Sequence, residues 1–522
     1  MKRKLSLFLA VIMMLSFMVA TLSSCGDKTD ETLDKDTYNI SILFPGYALE
    51  QSYEYQKQVQ DAINEKLYND LGFKVNVVCN SYVDQYETML ALDLANKMSY
   101  DFIRTTNGTA AGYAEKDIFV DIKPLIDQYA PDLWDLIPEN AWAECTINGK
   151  VYGIPTCSFP ISYGLWIRGD WLKKLNKELP TSLAELEALC EAIKTNKEIN
   201  PNGKVIPMAG NRDIMEFVFL GMFTDHPGDY VDENGNVQPK YLDPGYRKFV
   251  EKLAEWYKKG YIDDLVTNGD ENTINSLISK DMVGIHVANV YQLEYSTLNS
   301  YNAQKNLDMK WIIPFKADTK KYYSSGFGSD IISFPVTGKN TEKAFQYMNW
   351  YYNNQENSDL VLYGLEGVTY ERSQDPETGK EKLSVPADKL SDTVKTFNDL
   401  KGFHGANVFT RLQLLYTYNS RPAESAKAYD SCNTDEILNN CHLDVTRYFQ
   451  TTLPVDIATK SADSRNVLYS RTLDMITGKV ASTDAEWDKL RKEWENLGGK
   501  QVYEHYTKLY NENKATLSFL SK

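Results

Sequence analysis

Residues 38–46 read YNISILFPG, a mostly apolar run that ends in a Pro-Gly turn and predicts a β-strand. A helix is expected next, because Val59, Ile63 and Leu67 recur at four-residue spacing in residues 53–72. FKVNVVCNS (73–81) and DFIRTT (101–106) predict two further strands, separated by a helix over residues 82–98. This alternation predicts an α/β fold with a parallel sheet covered on both faces.

Ligands of doubly wound sheets bind beyond the carboxyl ends of the strands. Tyr47, Tyr82 and Asp84 follow two of the predicted strand ends, so we expect them to line a cleft, although Asp84 could instead cap the next helix. Phe327 and Asp330 lie on the Gly-rich bend SSGFGSD (324–330), whose backbone can approach a solute closely or form a plain turn.

The N-terminus has the pattern of a secretory signal, with Lys2, Arg3 and Lys4 before eighteen uncharged residues. LSSC, which ends at Cys25, resembles the lipobox of bacterial lipoproteins, whose cysteine is lipidated after cleavage. We therefore predict a signal peptide over residues 1–24 and a lipidated flexible tether over residues 25–37, with Cys25 as the anchor. A single membrane-spanning helix is the alternative.

Net charge and length narrow the possible functions. The chain carries −16, which becomes −19 when residues 1–24 and their three positive charges are removed. No clustered Lys/Arg run offers a surface for phosphate backbones, so we expect no nucleic-acid partner. The 498 residues that remain predict two or more domains.

Other motifs point away from catalysis and metals. No H-E-x-x-H, G-x-S-x-G or Walker A motif occurs, although a glycosidase needs only two carboxylates and stays open as an alternative. NKEINPNG (196–203) resembles half a calcium loop but lacks the final acidic residue, so we predict a turn and no metal or cofactor. The cysteines are widely spaced, and Cys432 and Cys441 are the best candidates if any disulfide forms.

Helix boundary signals appear further along the chain. Ser182 and Glu185 form a predicted capping box, Thr341 is a predicted N-cap, and Gly498-Gly499 is expected to separate two C-terminal helices.

Four segments carry a family resemblance: NGKVYGIP (148–155), GLWIRGDWL (164–172), DMVGIHVAN (281–289) and AFQYMNWYYNNQENSDLVLYGLEGVTY (344–370). In this order, behind a lipobox, they resemble the extracellular solute-binding proteins of ABC importers, in the large lipoprotein branch of the family that includes maltose-binding protein. The resemblance implies the two-lobed periplasmic-binding-protein type II fold, an α/β fold with a cleft between the lobes. It implies lobe 1 at 38–160 plus 309–357, and lobe 2 at 161–308 plus 358–522 with a C-terminal helical extension.

The resemblance also implies further cleft residues. Phe159 and Tyr163 would flank the first crossing between lobes and could face either the ligand or the hinge. Asn289 and Tyr291 would reach the cleft from the second lobe. Arg168 and Asp170 match a family hallmark and are interpreted as structural.

Together these features predict a non-catalytic protein, lipid-anchored on the extracellular face of the cell membrane. It would deliver a carbohydrate, in particular an oligosaccharide, to the permease subunits of an ABC importer. Neutral sugars are bound by aromatic faces and hydrogen-bonding side chains, and the predicted site contains both. A glycosidase-like enzyme and a peptide-binding lipoprotein are the alternatives.

Overall fold

A computed structural model describes residues 34–45, 56–82, 85–137, 139–147, 149–155, 160–295, 304–315, 318–324, 330–374, 381–384, 423–432, 434–449 and 453–515, with residues 298, 302, 326 and 517. Cys25, Tyr47, Asp84, Phe159 and Phe327 lie outside the described residues.

The first part of the chain alternates strands and helices as predicted. Its strands are β1 (Thr37–Pro45), β2 (Lys74–Tyr82), β3 (Phe102–Thr106), β4 (Thr146–Ile147), β5 (Lys150–Val151) and β6 (Ile154–Pro155). Its helices are α1 (Gln56–Leu71), α2 (Tyr86–Ala95), α3 (Asn107–Ala114), α4 (Lys123–Tyr129), α5 (Leu133–Leu136) and α6 (Glu139–Glu144).

The middle of the chain forms a second α/β unit. Its strands are β7 (Tyr163–Arg168), β8 (Ile206–Ala209), β9 (Tyr230–Val231), β10 (Val237–Gln238), β11 (Val283–Asn289), β12 (Met309–Ile312) and β13 (Tyr322–Tyr323). Its helices are α7 (Gly169–Leu175), α8 (Leu183–Thr195), α9 (Arg212–Phe219), α10 (Pro244–Lys259), α11 (Leu265–Asn268), α12 (Glu271–Ser279) and α13 (Gln292–Tyr295), with 3₁₀ turns at Leu220–Met222 and Lys240–Leu242.

The last part returns to the first unit and then ends on the second. It comprises β14 (Asp330–Ser333), α14 (Thr341–Tyr352), α15 (Gln355–Tyr363), β15 (Glu371–Gln374), β16 (Glu381–Ser384), α16 (Ala423–Cys432), α17 (Asp435–Asn440), β17 (Cys441–His442), a 3₁₀ turn at Val445–Tyr448, α18 (Val455–Ile476), α19 (Asp484–Asn496) and α20 (Gly499–Asn513).

Two sheets organise these elements into two lobes. The first has the strand order β2-β1-β3-β14-β6, with β1 parallel to β2 and β3, and with β14 antiparallel to β3 and β6. The second has the order β12-β7-β11-β8, with β7 antiparallel to its neighbours and β11 parallel to β8. Buried apolar side chains cover both faces of each sheet, as expected for α/β layers.

The crossings between the lobes come later in the chain than the sequence predicts. We expected a return to the first lobe near Asp308, yet β12 pairs with β7 in the second sheet, and the Trp311 indole donates to Ser431 Oγ at 3.0 Å. A further crossing was expected near Asn357, yet Val361 and Tyr363 on the same helix pack in the first-lobe core.

Several local predictions can be compared directly with the structure. Ser182 Oγ accepts a hydrogen bond from the Glu185 amide, which confirms the N-cap, and α19 and α20 flank Gly498 as predicted. The cap predicted at Thr341 is wrong, because Asn340 occupies the N-cap position and Thr341 begins the helix.

The calcium-like segment is a turn held by amide side chains. Asn196 Oδ1 accepts from the amides of Glu198 and Ile199 at 2.9 and 3.0 Å, and Asn200 Oδ1 accepts from Val205 at 3.0 Å. Within the described part of the chain, no group of three or more His, Cys, Asp or Glu side chains is arranged to hold a metal ion.

The candidate disulfide is not formed. Cys432 is a buried free thiol and Cys441 is a half-buried one. Among the described residues, no helix combines the length and apolar character needed to cross a bilayer.

Candidate functional site

One edge of the first sheet gathers the carboxyl ends of its parallel strands. Pro45, Tyr82 and Thr106 end β1, β2 and β3, while β14 begins opposite Thr106 with the backbone of Asp330. We call this edge the first cleft edge. It is the position where ligands bind to sheets of this kind.

Polar side chains and an open depression adjoin the first cleft edge. The Thr106 hydroxyl donates to Thr109 Oγ1 at 2.9 Å, and Thr109 Oγ1 donates to Glu87 Oε2 at 3.1 Å. The depression has a volume of about 330 Å³ and is lined by Gln85, Tyr86, Glu87, Thr88, Arg104, Thr105 and Thr106. Tyr86 is held in its wall, because its hydroxyl donates to the Arg104 carbonyl at 2.6 Å.

Tyr82, at the end of β2, has its hydroxyl bonded within the protein and its side chain half-buried. Its hydroxyl donates to Asp93 Oδ2 at 2.8 Å, and Tyr100 donates to the same oxygen at 2.7 Å. Burial and the hydrogen bond to Asp93 raise the pKa of Tyr82. The hydroxyl proton is therefore committed to Asp93, and the half-buried ring is the main surface that Tyr82 could offer a ligand.

The second sheet has a corresponding edge, which we call the second cleft edge. β8, β11 and β12 end there and β7 begins there, so Tyr163 lies opposite Asn289 in the register of the two strands. Asn289 Nδ2 donates to Glu271 Oε1 at 2.7 Å, and Asn289 Oδ1 accepts from the Tyr291 amide at 2.9 Å. The amide side chain thus links the end of β11 to the start of α12.

Aromatic rings continue this edge. Tyr163 stacks on Phe217, with ring centroids 4.9 Å apart and planes inclined by 16°, and Phe217 contacts Tyr323 at 4.7 Å. Burial, followed by the nearby Glu271 carboxylate, raises the pKa of Tyr163, whereas Arg447 opposes the shift. Glu271 and Arg447 therefore both lie close enough to act on the Tyr163 phenol.

Arg447 also connects the two lobes. Its guanidinium lies 3.9 Å from Glu144 Oε2 at the end of α6, and the Glu144 side chain is only 3% exposed. Gly326, with φ +88°, lies against this guanidinium, where a Cβ atom would collide with it. The glycine in the predicted bend therefore makes room for a cross-lobe ion pair.

A buried polar cluster lies behind the second cleft edge. Lys240 Nζ pairs with Glu216 and donates to the Tyr323 hydroxyl at 2.8 Å. Thr446 Oγ1 bridges Asp229 and Asp444 at 3.2 and 2.7 Å. Burial, followed by the Asp444 carboxylate, raises the pKa of Asp229 to about 6. The cluster fixes β13 and the 445–448 turn to the body of the second lobe.

The structure brings some of the sequence-predicted site residues together. Tyr163 and Asn289 are adjacent at the second cleft edge, and Tyr82 lies at the first. Tyr291 follows Asn289 but packs its ring edge-on against Tyr429 at 5.5 Å. Arg168, interpreted as structural, pairs with Asp170 and Asp281 at 2.6 and 2.8 Å, as that interpretation requires.

Sequence reasoning missed Glu271, Arg447 and Arg104. Glu271 is eighteen residues from its partner Asn289, so no local pattern connects the two. Arg447 lies in a short turn after β17 and approaches Tyr163 only through the fold. For Arg104, its place at the end of a predicted strand was an available signal.

A second depression lies away from these edges, between α10, α18 and α19. It has a volume of about 280 Å³, and its walls include Trp487 and Trp494. Arg247 bridges its rim through an ion pair with Asp484 at 2.6 Å.

Two α/β lobes, each with a sheet edge rich in polar and aromatic side chains, define the class of two-lobed ligand-binding proteins. The chain belongs to the family described as bacterial extracellular solute-binding protein, which it matches over residues 58–383. The family resemblance found in the sequence is thereby confirmed.

The names of three related proteins are consistent with membership of this family. The chain is 23% identical to the polygalacturonan/rhamnogalacturonan-binding protein YtcQ of Bacillus subtilis, over 71% of this chain and 72% of the relative. It is 21% identical to the fructooligosaccharide ABC transporter substrate-binding protein FusA of Streptococcus pneumoniae, over 98% and 99%. It is also 21% identical to lipoprotein LipO of Bacillus subtilis, over 83% and 85%.

Solved structures share the fold. FusA of S. pneumoniae in complex with kestose aligns with a TM-score of 0.60 at 19% identity, covering 92% of this chain and 100% of that one. A solute-binding protein of Bifidobacterium longum infantis, described as HMO binding, aligns with a TM-score of 0.62 at 18% identity, covering 92% and 99%. The two-lobed α/β fold expected from the sequence is therefore confirmed.

Proposed function

We propose that this protein is the carbohydrate-binding component of an ABC importer and that it captures an oligosaccharide between its lobes. The observation that carries the proposal is the pair of cleft edges, which offer amide, hydroxyl and aromatic groups within a family of extracellular solute-binding proteins. The names of YtcQ and FusA add support, because both relatives are carbohydrate-binding proteins. The permease subunits of the importer would be the protein partners.

Sugar rings are recognised by aromatic faces together with groups that hydrogen-bond hydroxyls. On the second lobe, Tyr163 would supply a ring, and Asn289 and Glu271 would supply the polar groups. On the first lobe, the ring of Tyr82 and the side chains around the 330 Å³ depression would face the same solute. The remaining proposed contacts are Tyr47, Asp84, Phe159, Tyr291, Phe327 and Asp330.

We assign the lobes from the sheets and cores. The first would comprise residues 37–155 and 330–374, and the second 160–323 and 423–515. Closure of the lobes would occur because a sugar contacts both edges only in the closed state. No chemistry on the sugar is proposed.

The protein would be held on the extracellular face of the membrane by lipid on Cys25, after removal of residues 1–24 as a signal peptide. LSSC supports this assignment, as does the relative named lipoprotein LipO. Palmitate is one of the proposed acyl chains. Two or more acyl chains give stable anchoring, because each buried methylene contributes about 0.8 kcal/mol.

A thermal-shift screen of the mature chain against mono-, di- and oligosaccharides and short peptides tests the proposal. A ligand at 100 times its Kd stabilises the folded state by about 2.7 kcal/mol, so a bound sugar is readily detected. Calorimetry with the best sugar should then show about two- to tenfold weaker binding by Asn289→Ala, since a hydrogen bond between a neutral amide and a neutral sugar is worth about 0.5–1.5 kcal/mol.

Asn234→Ala is the matched control, because Asn234 is an exposed asparagine in the β9–β10 hairpin. It should leave the affinity unchanged. Stabilisation by peptides and by no sugar would contradict the proposal. Hydrolysis of the sugar, abolished by changing one carboxylate, would favour the glycosidase alternative.

A further inference from the structure

Large exposed apolar side chains are concentrated in segments at one end of the first lobe. Of the seven large hydrophobic residues that are more than a third exposed in the described part of the chain, five lie in the last turn of α1 or α2 or shortly after α2 or β14. They are Tyr68, Leu71, Leu92, Met98 and Val336, with exposed fractions between 43% and 57%. Single exposed apolar residues are ordinary, but a local concentration marks an interaction surface.

The topology places these five residues at the same end of the first lobe, with α1 and α2 packed on opposite faces of the sheet. β1, β2 and β3 begin at the edge of the first sheet opposite the first cleft edge, and β14 ends there. α1 and α2 also end there, because each leads into or back towards a strand start. Thr337 Oγ1 donates to the Met98 carbonyl at 2.8 Å, which joins the two segments that carry Met98 and Val336. We call this surface the strand-start edge.

The N-terminal segment enters the fold at the same surface. The Thr37 amide donates to the Asp34 carbonyl at 2.8 Å, and Asp34 pairs with Lys74 Nζ at 3.0 Å. Lys74 in turn lies 5.5 Å from the centre of the Tyr68 ring. The chain that leads back to Cys25 therefore leaves the first lobe beside Tyr68.

The distance from this exit to the proposed anchor is short. Nine Cα-to-Cα steps lead from Cys25 to Asp34, and an extended chain covers about 3.3–3.6 Å per step, so the reach is about 30 Å at most. The strand-start edge is consequently the surface of the first lobe at which the chain towards Cys25 leaves the described residues.

We propose that the strand-start edge rests on the outer surface of the membrane and that its exposed apolar side chains enter the headgroup region of the bilayer. The proposal rests on the lipid anchor of the proposed function. Lys97 and Lys339 are exposed beside Met98 and Val336 and would approach anionic headgroups, which offsets part of the repulsion between the acidic chain and the membrane.

This orientation has a consequence for capture. β1 spans nine residues, about 30 Å at 3.3 Å per residue, and separates the strand-start edge from the first cleft edge. In the ligand-free protein, the cleft would then open away from the membrane. Delivery requires the cleft to meet a permease in the membrane, so the contact has to be weak enough to release.

The test uses the full lipoprotein in vesicles of phosphatidylcholine and phosphatidylglycerol, with and without nitroxide-labelled lipid. Fluorophores are attached to Met98→Cys or Val336→Cys, and labelled wild-type protein gives the background from native cysteines. Val455→Cys is the control, because Val455 is 85% exposed and lies on the second lobe. We expect nitroxide lipid to reduce emission at least twofold at positions 98 and 336 and to leave position 455 unchanged.

Flotation of each variant with the vesicles reports the anchor separately, and Cys25→Ala should abolish it. Floating protein without quenching at positions 98 and 336 would overturn the proposed orientation and leave the anchor intact. Failure of wild-type protein to float would overturn the anchor and the orientation together, while calorimetry still reports sugar binding. Self-quenching at position 98 without vesicles would identify a second copy of the chain as the occupant and overturn the proposal.

Discussion

At the scale of single residues, one carboxylate determines what Tyr82 can contribute. Asp93 is buried and accepts hydrogen bonds from the hydroxyls of Tyr82 and Tyr100 through the same oxygen. A hydroxyl held in this way cannot donate a hydrogen bond to a sugar. The aromatic ring at the end of β2 is the part of Tyr82 that could stack on a pyranose.

Two substitutions at Tyr82 separate the ring from the hydroxyl. Tyr82→Phe should lower the free energy of unfolding by about 1–2 kcal/mol, because a hydrogen bond to a charged group is lost, and should leave sugar affinity unchanged. Tyr82→Ala should weaken binding by about 1 to 3 kcal/mol through loss of the aromatic surface. Denaturant unfolding and calorimetry measure the two effects.

Tyr100→Phe is the control for the shared carboxylate, since Tyr100 is buried away from the first cleft edge and donates to the same oxygen. Tyr100→Phe should lower the free energy of unfolding and leave the sugar affinity unchanged. If Tyr82→Phe weakened binding as much as Tyr82→Ala, the hydroxyl would be a ligand contact and this assignment would be wrong.

At the scale of elements, β11 carries the clearest unpaired group of the second sheet. Its residues from Val283 to Ala288 are buried between β7 and β8. Neither ring nitrogen of His286 has a hydrogen-bond partner among the described residues. Burial lowers the pKa of His286 to about 3. The strand therefore holds a neutral imidazole in an apolar position.

The sign of the pH effect follows from this lowered pKa. A histidine with a pKa near 6.5 when unfolded and about 3 when folded contributes stability above pH 6.5, which is lost as the pH falls towards 3. Between pH 7 and 5 this group should cost the wild type about 2 kcal/mol. His286→Leu should remove that loss in urea unfolding across the same range.

Met208→Leu is the matched control, because Met208 is fully buried on β8 and pairs with Ile285 beside His286. It alters apolar packing without removing a titratable group, so the pH dependence should stay as in the wild type. An unchanged pH slope in His286→Leu would contradict the argument.

Elements with strong periodicity could be predicted from the sequence, and their allocation to lobes could not. β1 and α1 follow from Ile40, Val59, Ile63 and Leu67, all of which are buried. The crossing near Asp308 was misplaced because sheet membership of β12 depends on pairing with β7, about 140 residues earlier in the chain. Local patterns carry no information about such distant pairing.

The same distinction applies to the candidate site. Asn289 was predicted from the family resemblance of residues 281–289, and the structure places it opposite Tyr163 at the end of β11. Glu271 and Arg447 reach this edge through α12 and a short 3₁₀ turn, whose positions depend on tertiary packing. The function of the family could therefore be predicted from the sequence. The positions of Glu271 and Arg447 at this edge could not.

At the scale of the whole molecule, the lobes are joined by more than the crossing segments. Arg447 reaches Glu144 across the lobes, and the buried carboxylate would be costly to leave unpaired. A ligand that touches both cleft edges shifts the balance between open and closed states only by its preference for one of them. In the proposed function, the polar and aromatic edges would supply that preference through short-range contacts.

The net charge of the whole chain leads to the last prediction, which concerns the kind of sugar. A chain of −16, or −19 after removal of residues 1–24, repels polyanions, and no clustered basic run offsets this charge. A neutral oligosaccharide experiences no such repulsion, and its hydrogen bonds and stacking contacts are barely screened by salt. Calorimetry between 50 and 500 mM salt should therefore show less than about a twofold change in Kd for the neutral ligand, because the Debye length falls from about 14 to about 4 Å without altering short-range contacts.

A uronate oligosaccharide of equal length serves as the comparison and should bind more weakly at low salt. Tight uronate binding that weakens steeply as salt is added would instead assign Arg447 or Arg104 to the ligand as a charge partner and would contradict the neutral-sugar prediction.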